Sequence, residues 1–90
     1  MVKTRVIFKK ESDGTIIAFL PEMEVNSGRI GCFTKNEGHG EADLLYFWKQ
    51  GNASPEEYEE TKNIMESVYG YDLKVMKRLN RKWMYGRKEQ

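Results

Sequence analysis

The chain has 90 residues, of which 39% are hydrophobic and 12% aromatic, and a net charge of +1. That is enough apolar material for one packed core, in too short a chain for two. A single cysteine, Cys32, excludes an intrachain disulfide framework and fits a reducing cytosol, while the N-terminal uncharged run Val6-Ile7-Phe8 is far too short for a signal peptide or a membrane span.

The first element in chain order is a β-hairpin over residues 2–22. Two runs rich in β-branched and aromatic residues flank Asp13-Gly14, the dipeptide best suited to the positive φ angles of a two-residue type I′ turn. That turn sets Phe8 opposite Phe19 and Arg5 opposite Glu22. Ile16-Ile17-Ala18-Phe19-Leu20 is apolar on both faces, which places it inside a sheet, and Pro21 ends it. After a connection at Asn26-Ser27-Gly28, alternation around Ile30, Cys32 and Thr34 predicts a third strand. Residues 35–40 read as a glycine-rich loop, and the apolar run of residues 43–49, ambiguous in period, reads as a fourth strand.

The helix is marked more fully. Ser54-Pro55-Glu56-Glu57 combines an N-cap serine, proline at the first helical position and glutamate three residues after the cap. Tyr58, Thr61, Ile64 or Met65, and Val68 recur at helical steps as a buried face, and Gly70 stands where a left-handed cap would stop the helix. Residues 71–75 alternate as a last strand. The expected fold is therefore α+β, a mainly antiparallel sheet of about four to five strands in the order β-β-β-β-α-β, with one amphipathic helix on one face. Residues 1–79 form the domain and residues 80–90 a basic-aromatic tail. One helix cannot cover both faces of such a sheet. Either the run around Leu44 to Trp48 folds over the second face, the sheet curls, or a second copy packs there as a homodimer.

Taken together, Thr4-Arg5-Val6-Ile7-Phe8, Asp13-Gly14, Ile17-Ala18-Phe19-Leu20-Pro21-Glu22, Gly38-His39-Gly40, Pro55-Glu56-Glu57-Tyr58 and Gly70-Tyr71-Asp72-Leu73-Lys74-Val75 resemble a group of small uncharacterised proteins encoded by Bacteroidetes and their bacteriophages. The resemblance spans roughly residues 4 to 78. It implies a prokaryotic or phage cytosolic setting and a compact accessory protein, and it implies no activity.

Charge is distributed unevenly. Residues 74–90 hold Lys74, Lys77, Arg78, Arg81, Lys82, Arg87 and Lys88 against the single acid Glu89, a local charge of +6 that leaves −5 on the rest. Such a division calls for internal pairing or for an acidic partner. Trp83 and Tyr85 are interleaved with these bases, a composition suited to single-stranded nucleic acid, where bases meet phosphates and rings stack on nucleobases. Met76, Leu79 and Trp83 also fall at helical spacing. A basic amphipathic helix docked on an acidic protein, or on the chain's own Glu-rich helix, therefore competes with that reading.

Candidate chemistry is sparse. His39, the only histidine, lies between Gly38 and Gly40 with Glu37, Glu41 and Asp43 nearby, but there is no second histidine or cysteine for a typical zinc site. Cys32 on an alternating strand reads as a small buried hydrophobe. The glycines follow neither phosphate-loop nor dinucleotide spacing. No enzyme and no cofactor is expected, and an enzyme or metal site using His39 ranks third among the readings. The candidate binding residues are Lys77, Arg78, Arg81, Lys82, Trp83, Tyr85, Arg87 and Lys88, with Leu45, Phe47 and Trp48 as a candidate interface and Gly38, His39 and Gly40 as a candidate functional loop. The expected partner is an acidic macromolecule, nucleic acid or protein.

Overall fold

The computed structural model describes residues 3–84. Strand β1 (Thr4–Lys10) and strand β2 (Ile16–Leu20) form the expected hairpin, but its turn differs. Ile7 stands opposite Phe19 and Phe8 opposite Ala18, one residue away from the anticipated register. The cause lies at Asp13. A two-residue type I′ turn needs positive φ there, whereas only Gly14 in this turn adopts it, at 93°, and the Asp13 carboxylate instead accepts the Thr15 N–H. The loop takes in a third residue, Ser12, closed by Glu11 N–H donating to the Thr15 carbonyl. A one-residue slip exchanges faces, so Phe8 and Phe19 lie on opposite sides of the sheet rather than side by side. The Arg5–Glu22 ion pair survives at 2.7 Å, because the long glutamate side chain reaches past the strand end.

Strand β3 (Arg29–Thr34) pairs antiparallel with β2, and strand β4 (Gly38–Asp43) pairs with β3 along its whole length. Of the segment expected as a glycine-rich loop, residues 35–37 form the turn and residues 38–40 belong to the strand, held by cross-strand pairing that outweighs the poor strand propensity of Gly38 and Gly40. The strand expected at residues 43–49 is instead helix α1 (Leu44–Lys49). Asp43 caps it by accepting the Leu45 N–H at 2.8 Å. Strand β5 (Gly51–Asn52) then pairs with the end of β1, and helix α2 (Pro55–Val68) begins with both bonds of the Ser54/Glu57 capping box in place. Gly70, at φ 76°, ends α2 as anticipated. Strand β6 (Leu73–Val75) runs parallel to the start of β1. The result is an α+β fold with a six-stranded sheet in the order β4-β3-β2-β1-β5, β6 sharing the β1 edge with β5.

Both faces of this sheet are covered. On one, Val6, Phe8, Ala18, Leu20 and Phe33 pack with Met65 of α2 and Leu73 of β6, and Tyr58 stacks on Phe8 at 4.3 Å. Val68, expected on this buried face, is 69% exposed, because the last turn of α2 extends beyond the apolar cluster. On the other face, Ile7, Ile17, Phe19 and Ile30 are covered by Phe47 of α1 and by Met76, Leu79 and Met84 of the C-terminal segment. The face that called for a second copy is thus occupied from within the chain.

Phe47 holds α1 down. It is 1% exposed, meets Phe19 edge-on at 4.9 Å, and carries the Lys9 ammonium 4.4 Å above its ring. The same ammonium donates to the Gln50 carbonyl at the C-terminal end of α1, where a cation offsets the carbonyl dipoles, and burial lowers its pKa. Phe47→Ala is therefore expected to lower stability by about 3–5 kcal/mol, through lost burial and the cavity left behind. Trp48→Ala, one residue away on the more exposed side with an edge contact to the Phe47 ring at 4.9 Å, is expected to cost less, about 0.5–1.5 kcal/mol. Chemical denaturation of these variants and of Leu45→Ala checks the helical assignment: a strand would put Leu45 on the buried face of Phe47, whereas in α1 it is 69% exposed and its truncation should cost less than about 0.5 kcal/mol.

Candidate functional site

The C-terminal segment takes its course from the core. Met76 N–H donates to the Val6 carbonyl, continuing the β6 ladder by one bond, and the chain then crosses the second sheet face with Leu79 turned inward. Asn80 accepts the Lys82 N–H and caps a single 3₁₀ turn, Arg81–Trp83, after which Met84 packs on the same cluster. The amphipathic helix anticipated from Met76, Leu79 and Trp83 does not form. These residues are carried by an extended chain ending in that turn. The segment expected as a tail from residue 80 is laid on the sheet through Met84. Tyr85, Arg87 and Lys88 lie outside the described residues.

This course turns the bases outward. Lys74, Lys77, Arg78, Arg81 and Lys82 are all exposed. Elsewhere the cations are mostly neutralised: Lys3, Arg5, Lys10, Arg29, Lys35 and Lys62 each pair with a carboxylate. The five C-terminal bases have no carboxylate partner among the described residues. In particular they make no ion pair with α2, whose Glu57 and Glu60 are engaged by Lys10 and Lys35. Trp83 is half-buried under the Arg5 guanidinium, 4.8 Å from its ring centre, so one ring face is already in a cation–π contact.

The run expected as an interface is divided by its helical geometry. Phe47 belongs to the core and offers no surface, whereas Leu45 is 69% and Trp48 49% exposed. They lie three residues apart, on one side of α1.

Gly38, His39 and Gly40 lie on β4 rather than in a loop. His39 Nε2 is joined to the Tyr71 hydroxyl by a 2.8 Å hydrogen bond, and its ring meets Phe33 at 5.0 Å and Tyr69 at 5.2 Å. Burial pushes the Tyr71 hydroxyl up in pKa. The imidazole thus ties the edge strand to the chain leaving α2. Of the acids near it in sequence, Glu41 pairs with Arg29 and Asp43 caps α1. Cys32 is half-buried. Desolvation raises its pKa with Arg29 opposing, the reverse of what an activated thiolate needs.

Sequence reasoning passed over two features. An open groove lined by Glu11, Asp13, Cys32, Glu37, His39 and Glu41 lies beside the hairpin loop and the β3–β4 turn. Among the described residues no three metal-ligating side chains converge there. The other is an apolar slot between β5, β6 and α2, lined by Phe8, Ala53, Tyr58, Val75 and Lys77. Only the pairing of two short strands on one edge of β1 creates it, which no local pattern announces. No helix among the described residues is long and apolar enough to cross a membrane. Comparisons with protein-family models, with curated proteins and with solved structures find no match.

Glu11 provides a pH test of the groove. Desolvation raises its pKa, helped by the negative charges of Asp13 and Glu37. With the folded value above the unfolded one, the native state holds the extra proton between them, and stability falls as pH rises through that window. Glu11→Gln is expected to melt slightly above wild type at pH 7, by less than about 1 kcal/mol, and the difference should vanish below about pH 4. Thermal melts across that range check it.

Proposed function

We propose that the protein is a non-enzymatic binding module whose C-terminal basic surface engages an acidic macromolecule, single-stranded nucleic acid in the first instance. What supports the reading is the division of cations. Six of the eight bases before residue 74 are spent in ion pairs, whereas Lys74, Lys77, Arg78, Arg81 and Lys82 stand exposed and without a carboxylate partner among the described residues. A polyanion releases its condensed counterions when such a row replaces them, a gain that needs no shaped pocket. Anchoring by Leu79 and Met84 fixes these bases before binding, which lowers the ordering cost. A small accessory protein in the cytoplasm of a prokaryote or its phage is the setting that goes with this reading.

A second reading has a protein as the partner, a second copy of the chain included. It draws on Leu45 and Trp48, exposed on α1.

Fluorescence anisotropy with a labelled single-stranded oligonucleotide separates the two. Binding should weaken steeply between 50 and 200 mM salt, and Arg81→Ala with Lys82→Ala should reduce the slope of log K against log salt by about 1.4, at roughly 0.7 per phosphate contact. Trp83→Ala should lower thermal stability by loss of its contact with Arg5. Absence of binding even at low salt removes the nucleic-acid reading and leaves the protein partner first. Sedimentation at micromolar concentration then tests self-association.

A further inference from the structure

β1 is paired on one edge by two different short strands. β6 runs beside Thr4 to Val6, β5 beside Lys9 and Lys10, and neither continues across the gap. The gap opens onto an apolar slot of about 200 Å³. One wall is Phe8 and Tyr58, stacked 4.3 Å apart with 14° between their planes, and Ala53 and Val75 form the sides. The polar groups at its mouth are the Asn52 amide, exposed and making no side-chain hydrogen bond among the described residues, and the exposed Lys77 ammonium. Lys77 is also one of the five exposed C-terminal bases, so one member of that row stands at the slot.

Resting on the nucleic-acid reading above, we propose that this slot takes up one unstacked base of a bound single strand, with the flanking phosphates laid along Lys77, Arg78, Arg81 and Lys82. The slot is smaller than the roughly 300–1,000 Å³ of sites for drug-sized ligands and suits a single planar ring. Its apolar sides receive the faces of the ring, and Asn52, a donor and an acceptor in one side chain, meets its polar edge. An acidic peptide would satisfy the cations equally well, but it offers a flat ring with a hydrogen-bonding edge only where a tyrosine or tryptophan stands among its acids, whereas every nucleotide of a strand carries one beside its phosphate. The row of bases supplies more phosphate contacts than a free nucleotide can use, which favours a strand as the occupant.

The test compares a labelled thymidine dodecamer with a strand of the same length carrying abasic sites, at low salt, on the full chain. Wild type is expected to bind the base-bearing strand about 10-fold more tightly, the order expected when one ring is moved from water into an apolar slot. Ala53→Leu fills the slot and should abolish that preference while leaving affinity for the abasic strand unchanged. Asn52→Asp, at an exposed position with a carboxylate at the mouth, asks the same question should Ala53→Leu melt early. Lys77→Ala with Arg78→Ala should weaken both strands alike. Equal binding of the two strands by wild type, or a preference that survives Ala53→Leu and Asn52→Asp, overturns the slot and leaves the basic surface standing. No binding of either strand overturns both.

Discussion

The structure depends on a central hairpin that is apolar on both sides. Val6, Phe8, Ala18 and Leu20 face one way, and Ile7, Ile17 and Phe19 the other, all buried. Exposing either set forfeits roughly 25 cal/mol for each Å² of apolar surface, a large loss for a domain of this size. Each face therefore needs a cover, and there is one helix long enough to serve. α2 covers the first face. The second is covered by smaller parts, one buried ring on the short helix α1 and three apolar residues of the C-terminal segment.

From that division follows the placement of charge. To lay Met76, Leu79 and Met84 on the sheet, the chain must carry its intervening residues to the outside, and those residues include Lys77, Arg78, Arg81 and Lys82. The basic surface is thus the outer side of a structural element. Its bases make no ion pair with α2 among the described residues, where Glu57 pairs with Lys10 of β1, Glu60 with Lys35 and Glu66 with Lys62. The separation of charge along the sequence persists in space because packing, rather than ion pairing, sets the path of the segment.

Much of the fold was legible where one local signal had one physical meaning. Ser54-Pro55-Glu56-Glu57 announced a helix start, and both capping-box bonds are present. The two-sided apolar pattern of β2 announced a buried strand. Register was not legible, because Asp13-Gly14 suits a three-residue loop as well as a two-residue one, and the choice turns on the backbone cost of positive φ at Asp13. The run Leu44 to Lys49 was misread as strand. Its decisive features are the Asp43 cap and the placing of Leu45 and Trp48, three residues apart, on the exposed side with Phe47 in the core. Of the candidate site, the bases were plain in composition, but their freedom from the Glu-rich helix and the slot beside Lys77 arise only from tertiary placement.

The claim on which the functional reading stands is that the basic segment is docked before any partner arrives. Methyl-resolved nuclear Overhauser spectra of the free protein test this most directly. Docking predicts cross-peaks from the Leu79 and Met84 methyl groups to the cluster of Ile7, Ile17 and Ile30, with shifts displaced by the Phe19 and Phe47 rings. Random-coil methyl shifts with no cross-peaks to that cluster would contradict it, and would make the bases a free tail rather than a built surface.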